Sequence, residues 1–139
     1  MIDFHYLTDF QIENELHFSD WIDRIITSEA GELGQLDFIF CNDSYLLKIN
    51  QDYLDHDTYT DIITFPYSEG KVISGDVFIS VERVAENAIS YEVDFNTELQ
   101  RVMAHGLLHL LGYGDKNEEE TQVMRKKENE KIKLFHVEH

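Results

Sequence analysis

Between His105 and Asp115 the chain reads His-Gly-Leu-Leu-His-Leu-Leu-Gly-Tyr-Gly-Asp. Two histidines four residues apart in an otherwise apolar run fall on one face of a helix, which turns about 100° per residue. An imidazole is costly to bury without a partner, so a polar pair on an apolar helix needs something to bind. Gly112 offers a left-handed end to that helix and Gly114 a second bend, after which Asp115 can fold back toward the histidine face. Two imidazoles and a carboxylate converging on one point make a transition-metal site with room left for water. Taken alone, a histidine pair at this spacing is more often structural than metal-binding. The glycine-closed turn and the acid just beyond it favour the metal reading, with His105, His109 and Asp115 as ligands.

In common zinc peptidases a glutamate follows the first histidine and acts as base; here Gly106 stands there. A water activated by the ion, or a more distant carboxylate, must then begin the attack. Gly106 is small either for close packing or to let a strand or substrate lie near the helix. Asp61 and Asp76 are the candidate distant carboxylates, each able to orient water or hold the outer proton of a ligating histidine. Their structural alternatives are turn capping at Asp61 and a bulge contact at Asp76. His56 and the run Arg125-Lys126-Lys127 are candidate phosphate contacts, although a loop histidine and a basic run late in a helix are usually solvated. His5 and His17 lack nearby ligand companions and read as surface or half-buried residues.

The elements that must hold these residues follow from periodicity and caps. Ile2–Leu7 alternates as a strand, with Phe4 and Tyr6 on one side. Ser19 caps a helix carrying Trp21, Ile22, Ile25 and Ile26 and ending near Gly31. Leu36–Cys41 is a strand, and Asn42, Asp43 and Ser44 open a helix that runs to about Leu54 with Leu46, Leu47 and Ile49 inward. The acidic loop Asp55–Asp61 leads to a strand at Ile62–Phe65, stopped by the only proline, Pro66. After a turn at Ser68–Lys71 comes a strand over Val72–Val81, where Gly75-Asp76 marks a bulge or a close backbone approach, and the two strands pair as a hairpin. A helix spans about Glu82–Tyr91. Asn96 or Thr97 caps the metal helix, Thr97 and Gln100 fitting a capping box. Asn117 caps a last helix with acids at its start and lysines late, as the helix dipole favours. These elements make an α+β domain, a mixed sheet of about four strands packed with helices around a central metal-bearing helix.

Composition sets the outer limits. A chain of 139 residues with 42% apolar side chains and nine phenylalanines is a folded globular protein, read as one domain over residues 1–139. Its last segment, residues 135–139, reads as a frayed tail outside the site. No run approaches a membrane span, the acidic N-terminus is no signal peptide, and the lone Cys41 suits a reducing cytoplasm as a core residue. The net charge of −17 is unusual for a phosphate-binding protein. Residues 1–100 hold 21 acidic and 4 basic side chains, whereas residues 101–139 hold seven of each. The metal segment and the last helix therefore leave room for a local basic surface, while the total opposes tight non-specific nucleic-acid binding.

The His105–Asp115 stretch resembles the signature of the YbeY family of bacterial endoribonucleases, His-Gly-x-Leu-His-Leu-x-Gly-Tyr-Asp-His, a zinc-hydrolase helix without the usual glutamate. Ile49-Asn50 and Thr60-Asp61-Ile62-Ile63-Thr64-Phe65-Pro66 resemble the family's Leu-Asn and Thr-Asp-Val-Leu-Ser-Phe-Pro segments. Ser74-Gly75-Asp76-Val77 is similar to its Gly-Asp-Ile strand, and Glu98-Leu99 stands where the family has Glu-Leu. In three places the chain departs from the pattern. The third histidine falls on Asp115, the aspartate before it on Gly114, and the arginine after Leu-Asn, tied to the family's RNA activity, on Leu54. A carboxylate ligates zinc as an imidazole does, but its charge makes bound water less acidic, and two histidines with one carboxylate also suit iron(II).

The resemblance implies a zincin-like fold and a metal-dependent endoribonuclease acting in ribosomal RNA processing, notably maturation of the 3′ end of the small-subunit RNA, and in ribosome quality control. It implies one Zn²⁺ per chain, with Fe²⁺ or Ni²⁺ as alternatives, held by His105, His109 and Asp115. His105, Asp61 and Asp76 become the catalytic candidates. The partners implied are ribosomal RNA and the ribosome, with ribosomal proteins or assembly GTPases, and no membrane or DNA. Two rivals remain: a zinc peptidase-like hydrolase, against which Gly106 counts, and a non-catalytic ribosome-assembly factor whose metal is structural.

Overall fold

The structure is a computed structural model and describes residues 1–56 and 58–136. In chain order it runs β1 (Ile2–Tyr6), α1 (Glu15–Ser28), β2 (Glu32–Cys41), α2 (Asp43–Leu54), β3 (Ile62–Pro66), β4 (Val72–Ser80), α3 (Val81–Ser90), α4 (Phe95–Leu110) and α5 (Glu118–Phe135). The four strands form one mixed sheet in the order β1-β2-β4-β3, an α+β arrangement. β1, β2 and β4 are parallel, and β3 returns antiparallel on β4 as the expected hairpin.

Strand register decides which side chains can reach the metal helix. Phe38 lies opposite Val77, Phe40 opposite Ile79, and Val77 opposite Thr64, so these residues share one face. That face is buried under α1, α3 and α4, where Trp21, Ile22, Leu99, Met103 and Leu107 complete the main core. The alternate residues point the other way. Cys41 and Ile63 there pack beneath Leu46 and Ile49 of α2, with Phe65 and Phe78 at the margin. α5 lies outside α4 and is fastened to α1. The fully buried Lys131 ammonium donates to Glu29 at 2.6 Å and Ser28 at 2.9 Å, while the Trp21 indole N–H donates to the Lys131 carbonyl at 2.8 Å.

Two expected caps are corrected, and of the two readings at Gly75-Asp76 the close approach is the one found. α1 begins four residues before Ser19, with Asn14 accepting from the His17 amide, because Phe18 must be helical to reach Trp21 and Phe135. α4 is capped by Asp94, which accepts from the Thr97 amide, because Phe95 already packs on Phe10. Gly75-Asp76 keeps regular pairing. The irregularity sits across from it on β2, between Leu33 and Leu36, where the Gln35 amide donates to Ser74 Oγ. Gly75 is a close approach instead: a β-carbon there would stand 2.8 Å from the Phe65 carbonyl oxygen and 2.9 Å from Leu110. At the other end Phe135 is docked against Phe18, Trp21 and His17, which corrects the tail expectation at that residue; residues 137–139 lie outside the described residues. No helix among the described residues is long and apolar enough to cross a membrane.

Candidate metal centre

The helix that presents the histidines is the most buried in the fold. Leu99, Met103, Ala104, Leu107 and Leu108 are fully buried, which fixes the rotation of α4 and turns His105 and His109 toward its remaining open side. Gly106 allows this helix to lie on the sheet, since a β-carbon there would stand 2.6 Å from Ile62 Cδ1 and 3.4 Å from Val77. The close packing is with strands. Beyond Leu110, Gly112 adopts φ of +103° and its amide donates to the His109 carbonyl, while the Tyr113 amide donates to that of Leu108. Tyr113 then anchors the loop through its hydroxyl, which donates to Glu29 at 2.5 Å. With the loop so pinned, Asp115 returns to the histidine face.

The three donor atoms form a compact triangle. His105 Nε2 and His109 Nε2 are 2.9 Å apart, and Asp115 Oδ2 is 3.4 Å from each. A tetrahedral ion with bonds of about 2.0–2.1 Å holds its ligand atoms roughly 3.3 Å apart, so the donor set and its spacing fit zinc. The outer nitrogen of His105 settles which inner nitrogen is free. Nδ1 lies 2.8 Å from Glu128 Oε2, and because a carboxylate only accepts, Nδ1–H must donate. Nε2 of the neutral ring is then a lone pair aimed into the triangle. Glu128 is itself held by Arg101, whose guanidinium donates to it at 2.9 Å and to Asn129 at 2.9 Å. Burial opposes a charge on His105, yet the hydrogen bond and charge of Glu128, with Asp115 and Asp61, raise its pKa. Surroundings that stabilise a proton at that nitrogen also stabilise a metal cation.

The remaining candidates are sorted by the sheet. Asp61, at the mouth of β3, shares with His105 and Asp115 the walls of two adjoining cavities of about 380 and 500 Å³. Burial pushes its carboxyl above the usual range, partly offset by the charges of His105 and Arg83. Asp76 is not brought to the centre. It is paired with Phe65 and Asp37 on the face turned away from α4, where the Tyr67 hydroxyl donates to it at 3.1 Å. His56 and Leu54 border the larger cavity. Of the basic run, Lys127 is committed to Glu29 at 3.1 Å, whereas Arg125 borders the smaller cavity. Glu128 and Arg101 were outside the candidates read from sequence. They lie 23 and 4 residues from His105, and only the docking of α5 on α4 reveals their relation to it.

The family described as Endoribonuclease YbeY matches residues 6–136. Endoribonuclease YbeY of Flavobacterium johnsoniae is 54% identical over 138 residues, covering 99% of this chain and 99% of that protein. That of Flavobacterium psychrophilum is 53% identical over 137 residues, covering 99% and 98%. A Thermotoga maritima protein solved in solution is similar in fold, with a TM-score of 0.67 at 24% identity, over 97% of this chain and 89% of that one.

Proposed function

The chain belongs to the YbeY family of endoribonucleases, and from that premise we propose that it is a metal-dependent endoribonuclease acting in ribosomal RNA processing. The observation that carries the reading is the triangle of two Nε2 atoms and one carboxylate oxygen, opening on a cleft that Asp61 walls. His105, His109 and Asp115 would hold one divalent cation, with zinc favoured by the donor spacing and Fe²⁺ or Ni²⁺ as alternatives. Such an ion, when bound, polarises a phosphoryl oxygen and makes water more acidic.

The residues around the centre have separable parts. Glu128 holds the His105 Nδ1 proton and so keeps Nε2 free. Asp61 supplies the carboxylate that the helix lacks at Gly106: buried and raised in pKa, it can accept a proton from the attacking oxygen and pass it to the leaving one. Asp76 is given no part, since it lies on the far side of the sheet. The peptidase reading loses its base at Gly106. The substrate we infer is precursor RNA of the small ribosomal subunit at its 3′ end, with a wider role in ribosome quality control. The protein would act as a single cytoplasmic domain meeting the ribosome, ribosomal proteins or assembly GTPases.

The test is cleavage of precursor ribosomal RNA by zinc-loaded protein, with and without chelator, alongside casein as a peptidase control. RNA cut in a chelator-sensitive way and lost in His105→Ala is expected. Uncut RNA, together with normal processing in cells carrying His105→Ala, would leave the assembly-factor reading in its place. Elemental analysis of untagged protein identifies the metal.

A further inference from the structure

The cleft extends past the metal triangle on both sides. Three cavities follow one another along it, of about 500, 380 and 230 Å³. The first two meet at Asp61, Ile62, His105 and Asp115, and the second and third at Tyr91, Glu98, Arg101 and Arg125. A groove continuous through the reactive centre suits a chain-like substrate, with one phosphate at the centre and neighbouring residues on either side.

At the second junction three side chains face the groove with little to hold them. Glu98 is only 5% exposed; burial and the charge of Asp61 push its carboxyl up, the charges of Arg101 and Arg125 act against this, and no hydrogen bond or ion pair of its carboxylate is formed among the described residues. The rest of the side chain is enclosed, and Glu98 lines both adjoining cavities, so donors to its carboxylate would have to enter by the groove. Arg101 is closed on Glu128 and Asn129, but Arg125 keeps a side chain 62% exposed and approaches Glu128 only to 3.6 Å. Tyr91, where α3 ends, is 63% exposed.

We propose that Tyr91, Arg125 and Glu98 form a nucleotide subsite beside the scissile position, in which Tyr91 stacks on a base, Arg125 pairs with its phosphate and Glu98 reads the base edge. Guanidinium pairs with phosphate through parallel N–H donors, and exposed aromatic rings stack on unpaired bases. An ionised carboxylate offers two acceptors side by side. Guanine alone presents two adjacent donors on its pairing edge, the ring N–H and the exocyclic amine, whereas adenine and cytosine set an acceptor beside the amine and uracil flanks its N–H with carbonyls. The subsite therefore selects guanine. It rests on the endoribonuclease reading for the class of substrate in the groove, and it supplies a phosphate contact in a chain whose Leu54 cannot.

The direct test is calorimetric titration of the full chain with GMP, AMP, CMP and UMP. The wild type is expected to bind GMP about tenfold more tightly than the others, the discrimination of one bidentate pair. Glu98→Gln should bring the four together, and Arg125→Ala should weaken all four alike with the ranking kept. Equal affinities in the wild type overturn the proposal without recourse to any variant, and so does a guanine preference that survives Glu98→Gln. Sequencing the ends cut from a randomised single-stranded RNA by zinc-loaded protein separates the two ideas. Guanine preference in binding with no cutting refutes the nuclease and leaves the subsite. Cutting with no guanine enrichment at any position beside the cut refutes the subsite and leaves the nuclease.

Discussion

Glu128 is the side chain that turns His105 from a titratable ring into a directed ligand. Its Oε2 accepts the Nδ1 proton at 2.8 Å, and Arg101 holds the carboxylate in place by donating to the other oxygen, Oε1, at 2.9 Å. Glu128→Gln should therefore weaken zinc binding by about 10- to 100-fold, measured by competition with a chelating dye, with the circular dichroism spectrum unchanged. Unaltered affinity would mean that the carboxylate does not orient the ring. That these three donors converge was legible in the sequence, because His105 and His109 are joined by one helical turn and Asp115 by one glycine-closed loop. Glu128 was not legible. It is an acid among acids and bases on an amphipathic helix, and only the packing of that helix on α4 gives it a partner. Asp61 and Asp76 looked alike in sequence, each in a strand-bordering motif. The register of β4 separates them, since Asp76 lies one residue from Val77 and hence on the opposite face.

At the scale of elements, two glycines set how closely α4 lies on the sheet. A β-carbon at Gly106 would meet the flexible end of Ile62, and alanine regains about 1 kcal/mol of helix propensity. A β-carbon at Gly75 would meet the Phe65 carbonyl, which cannot step aside, and gains nothing in a strand. Gly75→Ala should thus be destabilising by about 1–3 kcal/mol and Gly106→Ala by less than about 1 kcal/mol, read from urea denaturation midpoints. The reverse order would show that the helix does not rest on β4 as described. Element types were readable from periodicity throughout, including the antiparallel hairpin. Caps were readable only where no large side chain intervened, as at Asn42 and Asn117. Before α1 and α4 the chain stays helical one or more residues longer to seat Phe18 and Phe95, and Asn14 and Asp94 take the capping role.

For the whole molecule, charge and the fastening of α5 decide behaviour in solution. The acidic total of −17 repels RNA over about 30 Å at 0.01 M salt but over only about 8 Å at physiological ionic strength, whereas the local contacts of Arg125 are lost only at higher salt. Cleavage at subsaturating RNA is accordingly expected to pass through a maximum as salt rises. A rate that only falls would show that the acidic body is never felt. The clamp between α1 and α5 adds a dependence on acidity. Burial of Glu29 opposes its ionisation, but hydrogen bonds from Lys131, Tyr113 and Lys127 bring its pKa down from 4.5 to about 2. A carboxyl depressed on folding contributes stability above its unfolded pKa and loses it as pH falls through the folded value. Stability should therefore decline between about pH 5 and pH 2, and Lys131→Met should flatten that part of the profile measured by thermal melts. A variant as acid-sensitive as the parent would place the acid response elsewhere.

That clamp also dictates an order of assembly. Glu29 secures Tyr113 and hence the loop bearing Asp115, Lys131 secures Glu29, and Glu128 aligns His105, so two of these three supports reside on α5. During translation α5 is made after every other element described here. A nascent polypeptide halted before it would carry both histidines yet hold neither them nor the aspartate in register.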